Sequence, residues 1–323
     1  MVKINYVLSD RIVNLLADLV EYLAHMEHRS EPFMRGKLLA ADTEYTISMI
    51  YNMLALDRDN VDRGSISDMV LGKIPKSPEV IDIDRIFNVS LNLNPLSVSD
   101  LLRTHEMMMD GWGQEPGKFR SKGSTISPRD CFVRVMTPVS TIEPLMDELT
   151  EWYRKSEAHP LVRAVIYYYC FEMIHPFADG NQRLGLIWMR LLLAKWKPIF
   201  YYIPIENYLL RRKKEFYNIM TASSGDCSRL VEFMLRVFYC AVEEYDMHLS
   251  HRQTATESMN RLLDAMKAGE TYTNREMMDL VNIRHRPTFR DNYLLPCIAA
   301  GLVAMTIPDK PNSKNQRYRK ISV

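Results

Sequence analysis

No Cys-x-x-Cys pair occurs in this 323-residue chain, and its five cysteines (Cys131, Cys170, Cys227, Cys240, Cys297) are odd in number and widely scattered. That pattern argues against a disulfide framework and a structural zinc site, and it fits a reducing compartment. An excess of one charge sign is missing too, since 41 Lys+Arg face 40 Asp+Glu. Without a global field, strong nucleic-acid or membrane binding by the whole chain is not expected. No basic-then-apolar leader opens the sequence. The longest apolar runs, around Tyr167 and around Leu191, are broken by charges and are too short to span a bilayer. Internal repeats and low-complexity tracts are absent. The expectation is a cytoplasmic protein with no membrane partner.

What is present is ordinary for a soluble globular protein: 47% hydrophobic and 25% charged residues. The length exceeds one core, so two domains are expected, residues 1–250 and 251–323. The second carries 12 Lys/Arg against 7 Asp/Glu, a net +5, which leaves the rest mildly acidic. Ser9 can cap a helix in which Ile12, Leu15, Leu16, Leu19, Val20 and Leu23 share a face. Ile142, Leu145, Met146, Leu149, Trp152 and Tyr153 mark a second amphipathic helix. Between positions 111 and 138 glycines and prolines surround the strand-like Cys131-Phe132-Val133-Arg134-Val135, which predicts a hairpin over a helical body.

Leu161 to Ile174 is apolar nearly all round, as in a helix buried within a bundle. Pro176 disfavours helical geometry at His175 and ends it there. A polar stretch from Met247 to Glu257 predicts a linker. Beyond it come three helices, Met259–Met266, Asn274–Val281 and Thr288–Ala299. Two strands follow, Leu302–Thr306 and Arg317–Ile321, joined by a basic loop. That is the element order of a winged helix-turn-helix. The fold class expected is therefore mainly α: a helical bundle with a small hairpin, plus a C-terminal winged-helix domain.

The chemistry concentrates in His175-Pro176-Phe177-Ala178-Asp179-Gly180-Asn181-Gln182-Arg183. A histidine at a helix end can accept a proton at neutral pH. Asp179 is an oxygen ligand suited to Mg²⁺, which favours carboxylates plus nucleotide phosphates. Gly180 lets backbone N–H groups approach a phosphate. Asn181 and Arg183 add donors, and a helix starting at Leu184 places the positive end of its dipole there. Together these residues describe phosphoryl transfer from a nucleotide to a hydroxyl.

The nonapeptide resembles the signature of the Fic (filamentation-induced-by-cAMP) family, H-x-F-x-[D/E]-G-N-G-R-x-x-R, through His175, Phe177, Asp179, Gly180, Asn181 and Arg183. Gly117-Lys118-Phe119-Arg120 and the predicted hairpin are similar to the family's flap, which binds the target segment as an added strand. Ile203-Pro204-Ile205-Glu206 and Tyr217 lie where the family continues towards the adenine pocket. The C-terminal segment is similar to the winged helix often attached to bacterial Fic proteins.

The resemblance implies transfer of AMP from ATP, with Mg²⁺, to a Ser, Thr or Tyr hydroxyl of a protein target, the chain itself included. His175 would be the general base, Asp179 the Mg²⁺ ligand, and Gly180, Asn181, Gln182 and Arg183 the phosphate hole, with Tyr217 beside the nucleotide. Lys118, Phe119 and Arg120 would receive the target.

Three departures stand out. Gln182 replaces the second glycine, and Leu186 replaces the second arginine. In Ser48-Met49-Ile50-Tyr51-Asn52, Tyr51 stands where an inhibitory helix carries its glutamate, so the usual inhibitory clamp is not expected. Arg190, one turn beyond Leu186, is the candidate replacement for the missing arginine. Glu206 is held as an auxiliary residue.

Two rivals remain: a nucleotide sensor without catalysis, and a regulator that uses its C-terminal domain for DNA contact or protein docking. Residues 310–320, with Lys310, Lys314, Arg317, Arg319 and Lys320, would supply the DNA contact. A homodimer is also compatible with the sequence. His105, Glu106 and Asp110 faintly echo a metal helix but read better as solvated surface. Met107-Met108-Met109 reads as buried filler.

Overall fold

The computed structural model describes residues 5–34, 43–58, 60–90, 92–111, 113–123, 137–223, 225–267, 269–311 and 313–321. The molecule is mainly helical, with one small antiparallel sheet. Its chain forms two compact units, Met1–Glu243 and Glu244–Val323.

The first unit runs through α1 (Asp10–Met34), α2 (Thr43–Asp57), α3 (Arg63–Val70), α4 (Pro78–Ser90), α5 (Val98–Met109), α6 (Ile142–Lys155), α7 (Pro160–Ile174), α8 (Asn181–Trp196), α9 (Ile205–Arg211) and α10 (Lys213–Ala222). It ends in α11 (Ser228–Ala265), which continues into the second unit. Local chemistry sets the helix starts. The Ser9 hydroxyl accepts the Ile12 N–H at 3.4 Å, Ser97 caps α5 through the Asp100 N–H, and Pro160 opens α7 where a missing donor costs nothing. Every residue of α7 from Leu161 to Glu172 except Arg163 is buried, as its unbroken apolarity requires.

Helices α7 and α8 pack tightly against each other. A Cβ added at Gly185 would lie 2.8 Å from the Glu172 carboxylate and 3.0 Å from the Phe171 ring. The absence of a side chain there allows the close approach that holds the loop between the two helices in place.

The second unit contains the end of α11, β1 (Thr271–Tyr272), α12 (Asn274–Leu280), α13 (Arg286–Phe289), α14 (Leu295–Ala299), β2 (Val303–Met305) and β3 (Tyr318–Lys320). The sheet order is β1-β3-β2, with Val303 opposite Lys320 and Tyr272 opposite Tyr318. Its core gathers Leu262, Met277, Phe289, Leu294, Cys297 and Val303. A Thr273–Glu276 capping box starts α12.

Two expectations need correcting. The polar stretch Met247–Glu257 is not an irregular linker, because it lies within the continuous α11. No Gly or Pro interrupts Ser228–Ala265, and polarity alone does not break a helix. The two-residue strand β1 is an element the sequence pattern does not reveal. The predicted strand Cys131–Val135 lies outside the described residues.

Candidate functional site

The loop between α7 and α8 is set by two left-handed residues. His175 ends α7 at φ 49°, ψ 62°, and Gly180 caps α8 at φ 76°. The bends bring the end of one buried helix and the start of the next to the same loop. Asn181 staples that loop: its side-chain oxygen accepts the Phe177 N–H and its amide donates to the Phe177 carbonyl, both at 2.9 Å. Both ends of this buried amide are therefore engaged with backbone. The expected phosphate contact by the Asn181 side chain gives way to a role in shaping the loop.

His175 sits below its ordinary pKa of 6.5, at about 4, because burial penalises the imidazolium and the Arg120 guanidinium adds repulsion. Its Nδ1 is buried and has no hydrogen-bond partner among the described residues. The ring is thus neutral at physiological pH and able to take a proton.

At the start of α8 the intrahelical ladder begins with Leu184 N–H bonded to the Gly180 carbonyl at 3.0 Å. The N–H groups of residues 181–183 precede that ladder, and no side chain caps them through Gly180. Carboxylates lie on the neighbouring donors. The Gly180 N–H donates to the Asp179 carboxylate at 2.6 Å. The Arg183 Nε, on a side chain that is 1% exposed, lies 2.8 Å from the Asp57 carboxylate. Asp179 is half-exposed and 3.8 Å from the Arg183 guanidinium. Burial raises the Asp57 pKa, with Asp179 adding to the rise and Arg183 opposing it. Above Gly180 the Met108 and Met109 methyls close in, 2.6 Å and 2.3 Å from where a Cβ would stand, and the φ of 76° favours glycine there.

Gln182 and Tyr217 come together. The Gln182 amide donates to the Tyr217 hydroxyl at 3.3 Å, and that hydroxyl donates to the Leu56 carbonyl, next to Asp57. The chain of bonds ties the α8 start to the α2 end.

Three expected roles are corrected. Arg190 does not stand in for the missing arginine. It is 1% exposed, pairs with the buried carboxylate of Glu206, and donates to the Tyr201 carbonyl at 3.1 Å. Glu206 is accordingly a partner of Arg190 and not a wall of a nucleotide pocket. Arg120 is buried, and its donors go to the carbonyls of His175, Lys122 and Thr137. It braces the loop that begins at His175, and its donors are already committed to those carbonyls. Phe119 packs at 5.6 Å from the Phe177 ring, whereas Lys118 remains exposed. Leu186 is buried in the core.

Two residues escaped the sequence reading. Asp57, at the end of α2, takes the carboxylate position on the motif's arginine, six residues beyond Tyr51. No spacing rule links positions so distant in the chain. His105 is fully buried, contrary to the surface reading, while Glu106 and Asp110 are exposed as expected. Its ring stacks on Phe177 at 3.9 Å and 13°. Burial depresses its pKa to about 4, partly opposed by the Asp179 carbonyl. Leu101, Met108 and Met109, at helical spacing around it, are the signal that places His105 on the core face. Met108 and Met109 are buried, as filler should be.

Residues 95–193 match the Fic/DOC family, and residues 257–320 match the Filamentation induced by cAMP protein Fic-like, C-terminal domain. A crystal structure of a Fic family protein from Desulfovibrio desulfuricans G20 is 30% identical, with a TM-score of 0.70. The match covers 99% of this chain and 98% of that one. This chain belongs to the Fic family. The "Protein adenylyltransferase fic-1" of Caenorhabditis briggsae is 24% identical over 257 residues, 73% of this chain. The chain spans about half, 47%, of that relative's length. A Caenorhabditis elegans Fic-1 structure (aa134–508) shares the fold at 17% identity and a TM-score of 0.57, covering 74% of this chain and 73% of that one.

Among the described residues no helix is long and apolar enough to cross a membrane, and no cluster of three metal-ligating side chains occurs. Four described cysteines (Cys170, Cys227, Cys240 and Cys297) are free. Of the basic residues at 310–320, Arg317 is bonded to Thr271 and Glu276, and Lys320 donates to the Leu263 carbonyl. Two of the cations expected to meet DNA are thus committed internally.

Proposed function

We propose that this chain is a protein adenylyltransferase, moving AMP from ATP to a Ser, Thr or Tyr hydroxyl of a protein. The observation that carries the reading is one short loop with a neutral imidazole at one end and, at the other, a helix start whose donors already hold carboxylates. The hydroxyl oxygen attacks the α-phosphorus while its proton passes to His175. The bond from that phosphorus to the bridging oxygen of the β-phosphate breaks, and pyrophosphate leaves. Gly180 N–H, the α8 N-terminus and Arg183 would stabilise the charge on the phosphoryl oxygens. Asp179, half-exposed and the only motif carboxylate, would hold Mg²⁺, which needs few protein ligands when it arrives with phosphates. When bound, the ion would neutralise phosphate charge. Lys118 would approach the target.

The test uses ATP labelled at either the α- or the γ-phosphorus. Label from the α-position is expected on protein, and label from the γ-position is not. ATP binding without α-label transfer would replace this reading with that of a nucleotide sensor.

The Asp57 carboxylate competes with phosphate for Arg183. Asp57→Asn is therefore expected to tighten ATP binding by roughly tenfold, about 1.4 kcal/mol, measured by calorimetry. Unchanged or weaker binding would show that Asp57 does not oppose the nucleotide.

The His175 pKa sets a pH dependence. With the folded value lowered from 6.5 to about 4, the base is neutral above that range. kcat/KM is expected to be flat from neutrality to about pH 5 and to fall below it, because that ratio reports the free enzyme. The lowered pKa also means that the unfolded chain binds protons between pH 6.5 and 4 that the folded chain does not. Stability present above 6.5 is lost as pH falls through that window, with Asp57 acting in the opposite sense.

For the second unit, the order of helix, strand, three helices and hairpin supports a winged-helix reading. The internal commitment of Arg317 and Lys320 favours protein docking over DNA contact.

A further inference from the structure

His105 touches both loops that flank the candidate site. Its Nδ1 lies 3.1 Å from the Gly117 amide nitrogen, and its Nε2 lies 3.2 Å from the Asp179 carbonyl oxygen. The Gly117 amide can only donate and the Asp179 carbonyl can only accept. The tautomer follows: Nδ1 is the bare acceptor and Nε2 carries the hydrogen. One neutral ring thus satisfies the base of the flap on one side and the catalytic loop on the other.

The second bond has a directional consequence. In a trans peptide the C=O of one residue and the N–H of the next point in opposite directions. Holding the Asp179 carbonyl against His105 therefore turns the Gly180 N–H away from α5, to the side where the Asp179 carboxylate now meets it at 2.6 Å. Gly180 has no side chain and sits at φ 76°, so little else in the residue itself prevents this peptide from rotating. Phe177, stacked on the His105 ring at 3.9 Å, keeps the imidazole from swinging.

We infer that His105 is a positioning residue that locks the 179–180 peptide so that the Gly180 N–H faces a bound phosphate, and links that lock to the flap base through Gly117. The inference rests on the phosphate cradle proposed above and adds a residue outside the motif to it.

The experiment uses the full chain labelled with ¹⁵N at glycine and histidine, with inorganic pyrophosphate as the probe. In the wild type, His105 is expected as the Nε2–H tautomer, and the Gly180 amide resonance is expected to move on titration. Two variants separate the bonds. His105→Gln reaches the Nε2 position with an amide donor and leaves the Nδ1 position empty. His105→Asn places an oxygen near the Nδ1 position and nothing at Nε2. Each loses one hydrogen bond, so a purely structural role predicts equal behaviour.

The lock predicts that His105→Gln keeps most of the Gly180 response and His105→Asn loses it. It also predicts that kcat for transfer falls about 100-fold in His105→Asn, the cost of a small misplacement, with KM for ATP changing far less. An Nδ1–H tautomer in the wild type, or equal Gly180 responses in the two variants, would overturn the role of His105 and leave the cradle standing. A wild-type Gly180 indifferent to pyrophosphate would overturn the cradle itself and this inference with it.

Discussion

Replacing His175 with alanine is expected to lower the rate of AMP transfer by about 10²–10⁴-fold, the usual contribution of a general base. ATP affinity should stay within about twofold, because the ring assists the incoming hydroxyl and does not hold the nucleotide. The fold should tolerate the change. Nδ1 has no partner among the described residues to lose, and the links that fix this position are made by the backbone. The His175 N–H bonds the Phe171 carbonyl at 2.9 Å, and its own carbonyl accepts from Arg120 at 2.8 Å. A second variant, His175→Asn, suits the left-handed backbone better still and removes the base equally. Initial rates of α-label transfer alongside calorimetric ATP binding make the check. Near-normal transfer in both variants would rule out the imidazole as base.

Arg190→Ala should produce a loss of another kind. It strands the Glu206 carboxylate, itself 1% exposed, and breaking a buried pair from one side costs about 3–5 kcal/mol. For a unit of this size that corresponds to a fall in Tm of roughly 10 °C. The double variant Arg190→Met/Glu206→Leu removes both charges and should recover most of the stability. Thermal melts of the three proteins decide the point. In whatever fraction of Arg190→Ala remains folded, ATP affinity should equal that of the wild type, since this guanidinium faces Glu206 and Tyr201. A melting curve unchanged by Arg190→Ala would mean that the pair contributes nothing. A weakened ATP affinity would restore Arg190 to the nucleotide site.

Two arginines of α8 meet carboxylates from different helices. Arg183, in the first turn, lies between the carboxylates of Asp57 and Asp179. Arg190, about two turns later, carries an identical and equally buried group that pairs with Glu206. Nothing in the residue type distinguishes them. Their difference arises because α9 brings a carboxylate to one and α2 brings a carboxylate to the other.

Much of the fold was legible because it depends on local pattern. The apolar circumference of α7 identified a buried helix, and Pro176 marked its end. Gly180 marked the bend before α8, although the helix starts at Asn181, three residues before the Leu184 start expected. The second unit's three helical segments and its hairpin followed from periodicity and turn residues. The polar part of α11 is not legible from hydrophobicity, because low apolarity does not break a helix that neither glycine nor proline interrupts.

By itself the chain's sequence determined the loop chemistry: which residues could act as base, metal ligand and phosphate donor, and that they lie within nine positions. Those are properties of neighbours along a backbone, governed by dihedral preference and helix polarity. Only the tertiary structure decided which charges those residues meet. Asp57 reaches Arg183, His105 reaches Asp179, Glu206 reaches Arg190 and Tyr217 reaches Gln182, each across a separation no local rule spans. Such partners are selected by the packing of whole helices, because a buried polar group takes whichever complement the surrounding core brings within hydrogen-bonding distance.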